Sequence, residues 1–358
     1  MYKKLFIPGP VDVRKDVLEQ MSKPIIAHRS KEASFLQKRI SDNLRRLFFT
    51  RNEILLSTTS GSGLMEGAIR SCTAKKAAVF SMGAFGKRWF EMALANNVPA
   101  ELFEVEKGKH IDKNMVDEAL KGGLFDVVAI THNETSTGVA NNIEEIGQVV
   151  KKYKDVVFMV DTVSSAGGDK IEVDKWGIDI CITSTQKCLG LPPGMAICTF
   201  SEKARLRAEK VKNRGAYLDL LALYNYIKKK DYQYPSTPSI SHMYALDYQL
   251  DYILNNEGLN NRFNRHKSMA EVVRTWGSKY FELFADEKHL SNTVTTIKNT
   301  RGINVSNLNK ELGKRGFEIS NGYGDLKEKT FRIAHMADCR IEDLNSLLNN
   351  INDILGLY

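Results

Sequence analysis

The run Val156-Val157-Phe158-Met159-Val160-Asp161 is apolar for five residues and then ends on a carboxylate. A second β-rich run, Ile178–Thr183, leads into Ser184-Thr185-Gln186-Lys187. A strand that is apolar at successive positions, rather than alternate ones, is a strand covered on both faces. Outward from this pair, similar runs recur at Ile54–Ser57, Ala77–Ser81, Ala100–Val105, Val127–Thr131 and Met195–Phe200. Segments with apolar residues near helical spacing lie between them: Leu64–Cys72, Phe85–Asn96, Met115–Lys121 and Ile143–Tyr153. This alternation predicts right-handed crossovers and an α/β fold on a mainly parallel seven-stranded sheet.

After Phe200 the pattern changes. Ser201–Asn213, Asp219–Lys230, Ser241–Asn255 and Leu259–Phe284 read as helices, with a loop at Tyr232–Ile240. Strand runs Thr293–Ile297 and Thr330–Ala334 then mix with helices Val305–Lys314 and Ile341–Leu355. A large domain over 15–250 and a smaller C-terminal α+β domain over 251–358 are expected, which suits 358 residues at roughly 100–200 per domain.

Composition excludes several classes. Hydrophobic residues make up 42% and charged residues 26%, ordinary globular usage, so disorder is not expected. The longest apolar runs span about five residues where a membrane span needs about 20, and no long apolar stretch precedes Pro8 to read as a secretory signal. The net charge of +8 is spread over short runs such as Lys75-Lys76 and Lys228–Lys230, a pattern of solubility and attraction for small anions rather than of nucleic-acid binding. Five cysteines without a CxxC argue against a zinc knuckle or a redox pair, so no metal is expected. Free thiols suit a reducing, cytoplasmic location.

In an open α/β sheet, ligands bind beyond the carboxyl ends of the strands, and here those ends are chemically loaded. Thr58-Thr59-Ser60-Gly61-Ser62-Gly63 separates a strand from a helix. Small residues let the backbone approach an anion, and the helix N-terminus offers free N–H groups. A plain N-cap turn has the same composition. Asp161 closes a buried strand, where a carboxylate is costly unless a cation meets it or it caps the next turn. Lys187 stands between a strand and the rigid Pro192-Pro193-Gly194 turn. Partial burial there would lower its pKa, as an imine-forming lysine requires; a surface lysine is the alternative. His132-Asn133-Glu134-Thr135-Ser136-Thr137-Gly138 crowds hydroxyls at a further strand end. A phosphate cup, a strand-end acid and a strand-end lysine together are the parts of a pyridoxal 5′-phosphate site.

The order cup, Asp161, Lys187, with Lys187 26 positions after Asp161, is that of fold-type I enzymes. The chain resembles the class V aminotransferases, in particular the alanine–glyoxylate, serine–glyoxylate and serine–pyruvate group. The matching stretches are Ser60-Gly61-Ser62, Met82-Gly83-Ala84-Phe85-Gly86-Lys87-Arg88, Thr131–Gly138, Val160-Asp161 with Ser164-Ser165, and Ser184–Lys187 with Pro192-Pro193-Gly194. The resemblance implies Lys187 as Schiff-base lysine and proton shuttle, and Asp161 as partner of the pyridine nitrogen. It implies Ser60, Gly61, Ser62 and Gln186 as phosphate ligands, Thr135 beside the ring hydroxyl, Val163 under the ring and Phe85 on its exposed face. Arg332, in Phe331-Arg332-Ile333-Ala334, is similar to the clamp for a substrate carboxylate. Pro8 and Gly9, in the segment 1–14, resemble the lining of the site entrance. Tyr234 and Thr237 are similar to residues that reach a neighbouring subunit's phosphate, which implies a homodimer with composite active sites. The implied reaction moves an amino group from a small amino acid, alanine or serine, to a 2-oxo acid, glyoxylate or pyruvate; the alternatives are a class V aminotransferase with 2-aminoethylphosphonate, ureidoglycine or aspartate as donor, and a non-catalytic binding protein on the same fold. Gln186 stands where the related cysteine desulfurases carry His, which argues against that activity, and Cys188 is expected to be a packing residue.

Overall fold

The computed structural model describes residues 2–357. Its strands are β1 (Lys4–Phe6), β2 (Glu53–Ser57), β3 (Ala77–Ser81), β4 (Ala100–Glu104), β5 (Val127–Thr131), β6 (Asn133–Glu134), β7 (Val139–Ala140), β8 (Val157–Asp161), β9 (Ile180–Ser184), β10 (Ala196–Phe200), β11 (Glu282–Leu283), β12 (Val294–Lys298), β13 (Phe317–Asn321) and β14 (Thr330–Ala334). The large sheet has seven strands in the order β2-β10-β9-β8-β5-β3-β4. The pairs from β9 to β4 are parallel, and β10 runs antiparallel to both β9 and β2.

Both faces of this sheet are buried, and strand geometry explains how. Successive side chains of a strand point to opposite faces. Phe80, Val128, Ile130, Phe158 and Val160 therefore enter one core, while Val79, Val127, Ala129, Val157 and Met159 enter the other. An unbroken apolar run is the only pattern that satisfies two covered faces. Each such side chain contributes roughly 1.5–3 kcal/mol when fully buried.

The second sheet has five strands in the order β1-β13-β14-β12-β11, around a core in which Phe281 and Phe331 meet edge-on at 5.2 Å. Strand β1, from the N-terminal segment, pairs with β13 in parallel. Composition alone gave no sign of β1, of β13 or of the long helix Lys31–Phe48. The expected helix Leu259–Phe284 ends at Tyr280, because Glu282–Leu283 pairs with β12 as β11. The expected helix Ser241–Asn255 instead spans Ile240–Asp251 and continues as a wider π-type turn, Tyr252–Glu257, that closes at Gly258 with φ +80°. No helix among the described residues is long and apolar enough to cross a membrane.

Candidate active site

Because β2, β5, β8 and β9 run in one direction, their carboxyl ends meet at one edge of the sheet. A cavity of about 220 Å³ opens there, and its wall includes Gly9, Ser60, Gly61, Ser62, Phe85, Arg88, Thr135, Asp161, Val163, Ser184, Gln186 and Lys187. Of the residues singled out in the sequence, all but Pro8, Arg332, Tyr234 and Thr237 line it directly.

Asp161 ends β8 and is 4% exposed. Its Oδ1 accepts the Val163 N–H at 2.8 Å, and burial pushes the carboxyl up to about 6. Lys187 is 9% exposed, and burial pulls its ammonium down to about 8. Its Nζ donates to the Pro8 carbonyl. The neighbouring Gly9 has φ +89°, and a Cβ there would lie 2.7 Å from Lys187 Cδ. Only glycine lets the N-terminal segment pass this close to the lysine. Pro8 thus touches Lys187 from outside the cavity wall.

The cup is the N-terminus of the helix Gly61–Cys72, and the Ser60 hydroxyl makes no capping bond. A Cβ on Gly61 would meet Val163 Cγ2 at 2.7 Å, so the cradle is tight. Ser184 Oγ and Gln186 Oε1 are buried at the wall without partners. Buried polar atoms are rarely left unpaired in native proteins, so these groups mark a place for a polar ligand. Free N–H groups, a free hydroxyl and a tight glycine cradle fit a phosphate. The Asp161 carboxylate and the Lys187 amine, sharing that cavity, fit the ring nitrogen and the aldehyde of pyridoxal phosphate.

Arg332 stands on β14 behind this wall. Its Nε and Nη2 donate to the Asn321 carbonyl and Nη1 to the Thr135 carbonyl, each at 3.1 Å, and burial pulls the guanidinium down to about 10. Its hydrogen-bond partners are carbonyls, which leave its positive charge uncompensated. Thr135 Oγ1 and Ser164 Oγ share a 2.6 Å hydrogen bond at the cavity.

Tyr234 and Thr237 do not reach the cavity. The Tyr234 hydroxyl accepts the Thr58 N–H at 3.1 Å within the same chain, and Thr237 is exposed. Cys188 is fully buried with its thiol pushed up to about 12 by burial, as suits packing.

Two residues inside the quoted motifs carry parts that sequence reasoning had not given them. Glu134 is fully buried, and its carboxylate accepts the N–H groups of Phe85, Gly86 and Ser136 and the Ser136 hydroxyl. Arg88 donates to Ser62 Oγ at 3.2 Å, and its guanidinium lies 4.7 Å from the Phe85 ring centre. Neither stood out in the sequence: Glu134 lies in a hydroxyl-rich turn and Arg88 follows another basic residue, Lys87.

The class-V aminotransferase family model matches residues 21–336. The chain belongs to the class-V aminotransferases. Members of that family depend on pyridoxal phosphate. Over 343 residues this aminotransferase is 42% identical to an uncharacterized aminotransferase of Methanocaldococcus jannaschii, a match covering 94% of this chain and 88% of that one. It is 29% identical to the serine–glyoxylate aminotransferase of Arabidopsis thaliana, over 98% of this chain and 90% of the relative. The solved alanine–glyoxylate aminotransferase of Nostoc sp. superposes with a TM-score of 0.93 at 26% identity, over 99% of this aminotransferase and 96% of that chain.

Proposed function

We propose that this aminotransferase moves the amino group of alanine or serine to glyoxylate or pyruvate, with Lys187 as the reacting amine. One observation carries the reading: Lys187, Asp161 and the Ser60–Ser62 cup share a single cavity of about 220 Å³. The serine–glyoxylate and alanine–glyoxylate names of two relatives support the same choice.

Bound pyridoxal phosphate supplies an electron sink for charge that develops at the substrate α-carbon. Ser60, Gly61, Ser62 and Gln186 would hold its phosphate, and the helix N-terminus would add its positive end. Asp161, in the cavity wall, would keep the ring nitrogen protonated by direct pairing. The Thr135 hydroxyl, which shares a hydrogen bond with Ser164, would be available to the ring oxygen. Val163 and Phe85, both in the cavity wall, would pack against the ring. Arg332 binds the substrate α-carboxylate through its two-pronged guanidinium. Burial lowers the Lys187 pKa to about 8, which makes its neutral form easier to reach, and as the free amine Nζ would take the proton from the α-carbon and return it to the carbon that bore the aldehyde. Pro8 and Gly9 close over this lysine and exclude water.

The two sheets support dividing the chain into a cofactor-binding part, 15–250, and a C-terminal part, 251–358, with segment 1–14 at the entrance. We read the protein as a homodimer with composite sites. Exposed Ile25 and Phe35 flank Arg29, which ties this surface to the carbonyls of Pro235 and Ser236 beside Thr237. In such a dimer Thr237 reaches the neighbour's cup, and Tyr234 exchanges its bond to Thr58 to join it. Free thiols support a cytoplasmic location. Sedimentation showing only monomer at working concentration refutes the composite site.

A second reading has one observation in its favour. Arg88 lines the cavity with hydroxyl partners, Ser62 and Tyr323, which favours a donor with an anionic side group such as aspartate. Half-reaction spectra decide between the two. The protein reconstituted with pyridoxal phosphate should show a visible band that borohydride removes. Alanine or serine should bleach it and glyoxylate or pyruvate restore it. Bleaching by aspartate alone selects the second reading, and protein that stays colourless refutes both.

A further inference from the structure

The loops after β8, β9 and β14 follow Asp161, Lys187 and Arg332, and one side chain outside the cavity binds all three. Arg262, in the helix Leu259–Tyr280, is 0% exposed. Its Nε donates to the Gly167 carbonyl at 2.8 Å, in the loop that follows Asp161. Its Nη2 donates to the Cys188 carbonyl at 2.6 Å, next to Lys187. Its Nη1 meets Asp338 Oδ1 at 2.9 Å, beyond the strand of Arg332, and Glu257 Oε2 at 2.6 Å. Gln249 reinforces the arrangement, because its Nε2 donates to the Leu189 carbonyl at 2.9 Å and to Asp338 Oδ2 at 3.0 Å. The first two loops also touch directly: a Cβ on Gly168 would sit 2.8 Å from Cys188 Sγ.

A buried guanidinium needs every donor met, and its planar fork fixes the directions in which partners must lie. One rigid fork that meets three loops therefore fixes their spacing. We propose that Arg262 is a positioning residue of the amino-transfer reaction, a three-way clasp that sets where Lys187 stands relative to Asp161 and Arg332. The proposal rests on Lys187 being the reacting amine. Its physical basis is that a displacement of about 1 Å at a reacting group can cost about 100-fold in rate.

The test uses the full-length enzyme reconstituted with pyridoxal phosphate and compares Arg262→Lys with Arg265→Lys. Arg265 lies in the same helix and also pairs with Glu257, but its other partners are the carbonyls of Ala337 and Cys339, away from the Lys187 and Asp161 loops. Arg262→Lys should lower kcat by about 10- to 100-fold with donor KM nearly unchanged. It should also move the pH midpoint of the visible absorbance by roughly half a unit, since that midpoint reports the surroundings of the Lys187 nitrogen. Arg265→Lys should leave both readouts near wild type. A wild-type midpoint and kcat in Arg262→Lys, or equal shifts in the two variants, overturns the clasp. If Arg262→Lys does not fold, Gln249→Met decides: a midpoint moved in that variant supports the clasp, and an unmoved one overturns it. A colourless wild-type protein refutes the role of Lys187 itself, whereas a coloured wild type with unshifted variants refutes only the clasp.

Discussion

The Glu134 carboxylate accepts the backbone N–H of Phe85 at 3.0 Å, and so caps the helix Ala84–Ala95 from outside its own sequence. A negative charge at a helix N-terminus is favoured by the exposed N–H groups and the dipole. It also fixes the first turn, from which the Phe85 ring projects into the cavity.

Glu134→Gln should therefore loosen Phe85 rather than disturb the sheet. The amide cannot accept from every donor now served, and a buried donor left without a partner costs about 1–3 kcal/mol. Thermal unfolding should show a loss of that order. Cofactor affinity, followed by the visible band during dilution, should fall while the circular dichroism of the large sheet is unchanged.

Arg332→Lys should act on substrate and not on cofactor. A lysine cannot make the two-pronged contact with a carboxylate, and a hydrogen bond to a charged group is worth about 1.5–3 kcal/mol, or roughly 10- to 100-fold. The value of kcat/KM for alanine or serine should drop by that factor. Reaction with a primary amine that has no carboxylate should be unchanged, and an equal loss there would remove Arg332 from substrate binding.

Asp161 and Lys187 set opposite pH limbs in cofactor-free protein. The Asp161 carboxyl is raised to about 6 in the fold, so its contribution is full at low pH and is lost as pH rises from the ordinary carboxylate range through 6. Lys187 is lowered to about 8, so its penalty is relieved as pH rises from 8 toward the ordinary lysine range. Asp161→Asn should then be more stable than wild type at pH 7, by an amount of order 1–3 kcal/mol, and lose that advantage near pH 4. Melting temperatures of the two cofactor-free proteins across pH 4–7 check the sign.

Gly9→Ala should be costly although it adds one carbon. The new Cβ would lie 2.7 Å from Lys187 Cδ, on a backbone with φ +89° that disfavours side chains. Activity should fall by about tenfold or more through displacement of the lysine, with little change in overall melting temperature. Unaltered activity would mean that the N-terminal segment does not hold its place over Lys187.

Much of the site was legible because it is local. Asp161 ends an apolar run and Ser60–Gly63 opens a helix, so strand or helix periodicity and the residue that breaks it are neighbours in sequence. Other parts were not. Glu134 reads as one more polar residue in a hydroxyl-rich turn, and its role exists only because the Phe85 turn, 49 positions away, packs against it. Arg262 sits among ordinary helix-surface residues, and nothing in its spacing shows that it is wholly buried.

By itself, the sequence determined the two-faced sheet, the set of residues at its carboxyl ends and the chemistry those residue types can perform. Each follows from periodicity and side-chain character over a few residues. Only the tertiary structure decided that β1 joins the C-terminal sheet, that Pro8 meets Lys187 across 179 positions, that Arg332 meets Thr135 across 197, and that one arginine joins three loops. These are contacts between segments that fold into place around two separate cores. No local period encodes which distant carbonyl a buried donor will find; the need to pair that donor selects it once the chain has closed.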